Sequence, residues 1–143
     1  MLKIGQLAKL ADVTPDTVRY YEKQGMMEHN ERTEGGYRLY SAQDLQRLRF
    51  IRYAKQLGFT LGTIAELLSI RVDPAHHTCK ESKSIVDARL QEVEEKLTEL
   101  TRMRDSLKRL SDACCGSAHS SNYCSILEAL EHGAREEKLS RAV

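Results

Sequence analysis

Apolar side chains recur at helical spacing through most of the chain, and the interruptions divide it into short elements followed by one long one. Ile4, Leu7, Ala8 and Ala11 share a helical face. After Asp12-Val13-Thr14, Thr14 and Pro15 supply a cap and a first-turn proline for a second helix, Pro15 to about Lys23. Two short helices joined this tightly predict a helix-turn-helix. Beyond Gly25 the period changes. Arg32 to Tyr40 reads as two short strands around Gly35-Gly36, a hairpin that sets Arg32, Arg38 and Tyr40 beside the helices as a wing. Ser41, with Asp44 three positions on, caps a third helix whose Leu45, Leu48, Ile51 and Leu57 turn inward. Its Arg47, Arg49, Arg52 and Lys55 are expected to supply outward cations. Gly58-Phe59-Thr60 ends it, and Thr60 caps a fourth helix with Leu61, Ile64, Leu67 and Leu68 as core.

Thr78 and Glu81 form a possible capping box that makes Cys79 the first residue of a helix unbroken until Gly116. Val86, Leu90, Val93, Leu97, Leu100, Met103, Leu107 and Leu110 step along it at spacings of three and four. So small a chain has no comparable apolar surface left to cover this stripe, so the expected partner is a second copy of the helix. The spacing departs from strict heptads, and Arg104 falls where an uninterrupted repeat calls for an apolar residue. The fold expected is mainly α. It has a winged helix-turn-helix DNA-binding domain at 1–70, a connector at 71–78, a dimerisation helix at 79–113, a metal-binding loop with a short helix at 114–133, and a flexible tail at 134–143.

The net charge of the 143 residues is only +1. Residues 1–70 carry 10 Lys or Arg against 8 Asp or Glu. Affinity for nucleic acid must therefore come from local placement rather than bulk charge. The second helix of the pair is the one shaped to enter a major groove, with Asp16, Thr17, Arg19, Tyr20 and Lys23 outward or flanking. Arg19 suits a phosphate or a base edge, and Tyr20 a phosphate, a sugar or packing. No stretch approaches the ~18 uncharged apolar residues of a membrane span, and the N-terminus lacks a signal-peptide pattern, so a cytoplasmic protein with no membrane partner is expected.

In that compartment the four cysteines are expected as thiolates or metal ligands rather than disulfides. Cys114, Cys115, His119 and Cys124 cluster past the long helix, and Cys79 opens it. A straight helix of this length separates Cys79 from Cys114 by roughly 50 Å, so they cannot share an ion within one chain. Antiparallel pairing instead brings Cys79 of the partner subunit beside the loop and creates two equivalent sites. The donors suit zinc or a neighbouring soft divalent ion, not calcium or magnesium. One ion held by three or four donors fits. So do two adjacent ions sharing Cys79, with Cys114 and Cys124 completing one and Cys115 and His119 the other. Crowding of adjacent Cys114 and Cys115 at a single ion favours the two-ion arrangement. His76 and His77 read as loop residues beside the ligands.

Ile4-Gly5-Gln6-Leu7-Ala8, Thr17-Val18-Arg19-Tyr20-Tyr21-Glu22 and Gly35-Gly36-Tyr37-Arg38-Leu39-Tyr40 together resemble the MerR family of bacterial transcriptional regulators over about residues 1–133, nearest its zinc-responsive activators. The resemblance implies that Arg19 and Tyr20 contact the operator, that Arg38 and nearby wing residues grip the DNA backbone, and that the dimerisation helices run antiparallel. It further implies a homodimer on double-stranded promoter DNA whose polymerase-binding elements lie too far apart. Metal binding then distorts that DNA so that RNA polymerase can start on metal-export or resistance genes. Family sensors of monovalent copper or silver carry serine where this chain has Cys79, which places it with the divalent-ion branch. Sensors of cadmium, lead or mercury are the nearest alternatives. A metal-dependent hydrolase or a metal storage module are rivals of another class, and no catalytic constellation supports the first.

Overall fold

A computed structural model describes residues 1–28, 31–114, 116–118, 120 and 124–142, with side chains except at 31 and 134–142. The Thr14 oxygen accepts the Thr17 amide at 3.2 Å, which starts α2 (Pro15–Lys23) after α1 (Ile4–Leu10). The intervening turn places Asp12 at φ 57°, a left-handed conformation that an Asp tolerates better than most residues. The wing consists of β2 (Glu31–Arg32) and β3 (Arg38–Tyr40), paired antiparallel. Gly36 takes φ 82° at its turn, where a side chain would be strained. A third strand, β1 (Leu2–Lys3), adds to the other side of β3 and gives the order β1-β3-β2. Two residues are too few to show a strand period in sequence.

The predicted capping box at Ser41 and Asp44 opens α3 (Ala42–Gln56), with the Ser41 amide donating to the Asp44 carboxylate at 2.7 Å. Thr60 caps α4 (Leu61–Val72). Leu7, Val18, Tyr40, Leu48, Ile51 and Ile64 are fully buried at the centre of one core drawn from α1, α2, β3, α3 and α4. Burying each such aliphatic side chain stabilises the fold by roughly 1.5–3 kcal/mol. Leu57 corrects the expectation of an inward position: it is 47% exposed. Gly58, at φ 84°, turns the chain away directly after it, and Ala54 and Phe59 fill the core in its place.

A short 3-10 turn, Pro74–His76, leads into α5 (Cys79–Asp112). The Glu81 amide donates to the Thr78 carbonyl at 3.1 Å, while the Glu81 carboxylate meets His77 Nδ1 at 2.6 Å. The chain divides into two compact units, Met1–Arg89 and Leu90–Val143. Ile85 packs against the N-terminal core, so the first turns of α5 belong to the first unit. In the second unit α6 runs Ser125–Ala142, past Gly133, which corrects the expected end of the short helix there. Gly133 is absent from the glycines with positive φ, and a single interior glycine costs only about 1 kcal/mol among the good helix formers that follow.

Candidate nucleic-acid interface and thiol cluster

The α2 surface is organised by short-range bonds. The Thr17 and Thr14 hydroxyls lie 2.8 Å apart, and Asp16 meets Arg19 at 2.8 Å. Both partners of that ion pair are well exposed, so it orients Arg19 more than it stabilises the fold. Tyr20 is 48% exposed and stands against Tyr21 with ring centroids 5.7 Å apart. Lys23 is exposed one turn further on. Arg19, Lys23 and Arg38 line an open cleft between α2 and the wing, together with Glu22, Met27 and Glu28. Tyr37 projects at the wing with Lys3 Nζ 5.5 Å from its ring centroid.

The residue that joins wing to helix is Glu22, which the composition of the motif did not single out. Its carboxylate, with a side chain only 8% exposed, accepts from Arg38 at 3.0 Å and from the Tyr40 hydroxyl at 2.8 Å. Tyr40 therefore corrects the expectation of a DNA contact: it is fully buried, its ring is core and its hydroxyl is engaged by Glu22. Burial and the Glu22 carboxylate push its phenol up to about 12. Because the folded value lies above the ordinary one near 10, the stabilisation is complete below pH 10 and disappears as pH rises to about 12. Equilibrium unfolding across that window is expected to show Tyr40→Phe losing about 2–3 kcal/mol less than the parent chain, on the scale of about 1.4 kcal/mol per pH unit.

The α3 arginines also differ from expectation. Arg47 Nε donates to the Met26 carbonyl, Arg49 to the Leu10 carbonyl at 3.2 Å, and Arg52 to the Asp12 carboxylate at 3.0 Å. They clamp the ends of α1 and α2 and the turn between them. A polar helix face reads as solvated in sequence, whereas Arg49 finds a carbonyl left over at the end of α1, Arg47 a loop carbonyl beyond α2 and Arg52 the carboxylate of the turn residue Asp12.

At the distal thiols, Ala113 and Cys114 continue the end of α5, and Gly116 turns the chain at φ 70°. Cys124 sits at the N-cap of α6, its carbonyl accepting the Glu128 amide at 3.3 Å. The amides of Leu127 and Ile126 point at its sulfur and the Cys114 thiol donates to it, which together lower the Cys124 thiol below its usual range. Cys114 and Cys124 thus stand together, and both are free, as is the exposed Cys79 at the start of α5. Cys115 and His119 lie outside the described residues, and among the described residues no group of three or more His, Cys, Asp or Glu converges as a metal site. Two sulfurs, one favoured as thiolate, have the donor chemistry of a soft divalent ion. Along α5, Val86, Leu90, Leu97, Leu100, Met103 and Leu107 are each about half exposed or more, while Val93 and Leu110 are partly covered. Among the described residues no helix is long and apolar enough to cross a membrane.

A winged helix-turn-helix that sets Arg19, Lys23 and Arg38 along one cleft has the architecture of a DNA-binding regulator. The chain belongs to the MerR family: residues 2–70 match the MerR HTH family regulatory protein and residues 45–110 the MerR DNA-binding region. It is 71% identical to the HTH-type transcriptional regulator ZntR of Escherichia coli K12, over 94% of this chain and 95% of that one. It is 39% identical to the mercuric resistance operon regulatory protein of Serratia marcescens, over 99% and 95%. Among solved structures, PbrR691 of Ralstonia metallidurans CH34 in complex with lead(II) superposes with a TM-score of 0.76 at 40% identity, covering 91% and 99%. These relatives are transcription regulators, not enzymes, which sets the hydrolase aside.

Proposed function

We propose that this chain is a zinc-responsive transcriptional activator that acts as a homodimer on promoter DNA. The observation that carries the reading is the coexistence of a MerR DNA-reading unit with the Cys114 and Cys124 thiols at one end of an apolar-striped helix that begins with Cys79. The 71% identity to ZntR along nearly the whole chain supports the same assignment. In this reading Val86, Leu90, Val93, Leu97, Leu100, Met103, Leu107 and Leu110 pair two antiparallel copies of α5. A 34-residue helix rises about 50 Å, so Cys79 acts in the loop of the other protomer rather than in its own.

Cys114 and Cys124 would hold one zinc and Cys115 and His119 a second, with Cys79 of the partner subunit serving both. Bound zinc supplies two positive charges per ion against these thiolates. Thr17, Arg19, Tyr20 and Lys23 face the major groove, and Arg38 the adjoining phosphates. The loop of each protomer closes on the start of its partner's α5, which favours one pose of the DNA-reading units. Regulation requires that the two poses differ in affinity for zinc, since equal affinity shifts nothing. The reoriented units bend and undertwist the promoter so that RNA polymerase can engage it.

Footprinting on the chain's own upstream promoter is expected to show similar occupancy with and without zinc, and altered reactivity at the operator centre only with zinc. Unchanged central reactivity overturns the distortion mechanism. Transcription from the same promoter with zinc, cadmium, lead, mercury and copper separates the zinc reading from a lead or mercury sensor, which the relatives at 39% and 40% identity represent.

A further inference from the structure

Within the first unit, α5 touches the rest through more than apolar packing. Arg89 Nε donates to the carbonyl of Leu57 at 2.9 Å. Leu57 is the C-cap of α3, so this carbonyl is one of those that the end of a helix leaves without an intrahelical donor, and a cation there also meets the negative end of the helix dipole. The guanidinium lies across Gly58 so closely that a Cβ added at that glycine would collide with it. Gly58 is constrained by its φ of 84°, and a Cβ there would also displace the guanidinium at the end of the flexible Arg89 side chain. Along its length α3 is fastened to the helix-turn-helix and the loop after it by Arg47, Arg49 and Arg52. Ile85, one turn before Arg89, anchors the same stretch of α5 in the core.

The geometry points to Arg89 as a positioning residue, the strut through which α5 sets the pose of the DNA-reading unit during activation. Ile85 holds α5 in place through contacts with little directional preference. Arg89 adds a directional contact, because its planar guanidinium donates to the Leu57 carbonyl and lies across a bare glycine. A change in the course of α5 is then passed to α3 as a rigid displacement, and from α3 to the turn at Asp12. This rests on the preceding proposal that zinc acts through α5.

The test compares the full-length parent with Arg89→Met, which keeps most of the stem and leaves Ile85 untouched, in operator binding, zinc content and zinc-dependent transcription. Arg89→Met is expected to keep operator affinity without zinc within about twofold and to keep its zinc content, while losing at least about fivefold of zinc-induced transcription. Equal induction in Arg89→Met and parent overturns the inference, and so does a loss of operator affinity that accounts for the lost induction. Absence of zinc induction in the parent instead overturns the proposed function. Gly58→Ala supplies a second reading: it should lower induction in the parent and add less than about twofold in the Arg89→Met background. Equal losses in both backgrounds overturn the coupling. Should Arg89→Met fail to fold, Arg89→Lys, which keeps the charge without the planar fork, is expected to bind operator normally and to induce weakly. Full induction by Arg89→Lys overturns the role of the fork.

Discussion

Mixed dimers that carry Cys79→Ser on one chain and Cys115→Ser on the other are expected to retain one complete metal site, whereas each single variant as a homodimer retains none. The asymmetry follows from the helix. Cys79 begins α5 and Cys114 lies two residues past its end, so the whole 34-residue helix separates them. At a rise of about 1.5 Å per residue no ordinary bend returns one end to the other. If the site is built across the dimer, one of the two composite sites in the mixed species draws Cys79 and the loop from unmutated positions. A site built within the chain is damaged in both protomers and binds nothing. Elemental analysis of the purified mixed dimer reads this directly, with about two zinc ions expected against about four in the parent. One ion for the mixed dimer and two for the parent would keep the crossed architecture and replace the two-ion site by a single-ion one. No retained zinc above that of the Cys79→Ser homodimer, which lacks the shared ligand at both sites, would reject the crossed architecture itself.

Glu22→Ala should destabilise the N-terminal unit by about 2–4 kcal/mol and weaken operator binding at the same time. The carboxylate is buried and satisfies two partners from the wing, Arg38 at 3.0 Å and the Tyr40 hydroxyl at 2.8 Å. Removing it leaves the hydroxyl of a fully buried tyrosine without that acceptor and frees Arg38 from its orientation. Glu22→Gln keeps an acceptor for Tyr40 and gives up the ionic partner of Arg38, so a smaller loss of stability is expected from it. Urea midpoints measure the first effect and operator titration the second. A Glu22→Ala chain as stable as the parent would show that the pair contributes specificity of geometry rather than free energy.

How far the sequence disclosed this arrangement depends on the range of the interaction that fixes each part. Local chemistry was legible: Thr14 with Pro15 set the start of α2, Ser41 with Asp44 set that of α3, and the period of Leu61, Ile64 and Leu68 marked the face of α4. The partners of polar groups were not legible. Arg47 bonds a carbonyl 21 positions away and Arg52 a carboxylate 40 away, and no periodicity says whether a cation on a helix meets solvent or another helix end. Tyr40 shows the same difficulty, because an aromatic beside a wing arginine resembles a DNA contact until the buried Glu22 is known to hold its hydroxyl. At the thiols, the helix start before Ser125 could be anticipated from spacing, whereas the approach of the Cys114 thiol to Cys124 required the fold of the second unit. Glycine misled in one place: Gly133 lies within α6, a poor helix former carried by neighbours that outweigh it.

The inward ties of the α3 arginines bear on how tightly salt controls DNA binding. Each phosphate neutralised by a cation releases condensed counterions, so the logarithm of affinity falls with the logarithm of salt at a slope of about −0.9 per contact on duplex DNA. The ten Lys and Arg of residues 1–70 suggest a steep dependence. Arg47, Arg49 and Arg52 are occupied by Met26, Leu10 and Asp12, and the charge of Arg38 is offset in part by Glu22. The protein therefore meets DNA with fewer freely directed cations than it contains, and a salt slope shallower than ten phosphate contacts would give is expected.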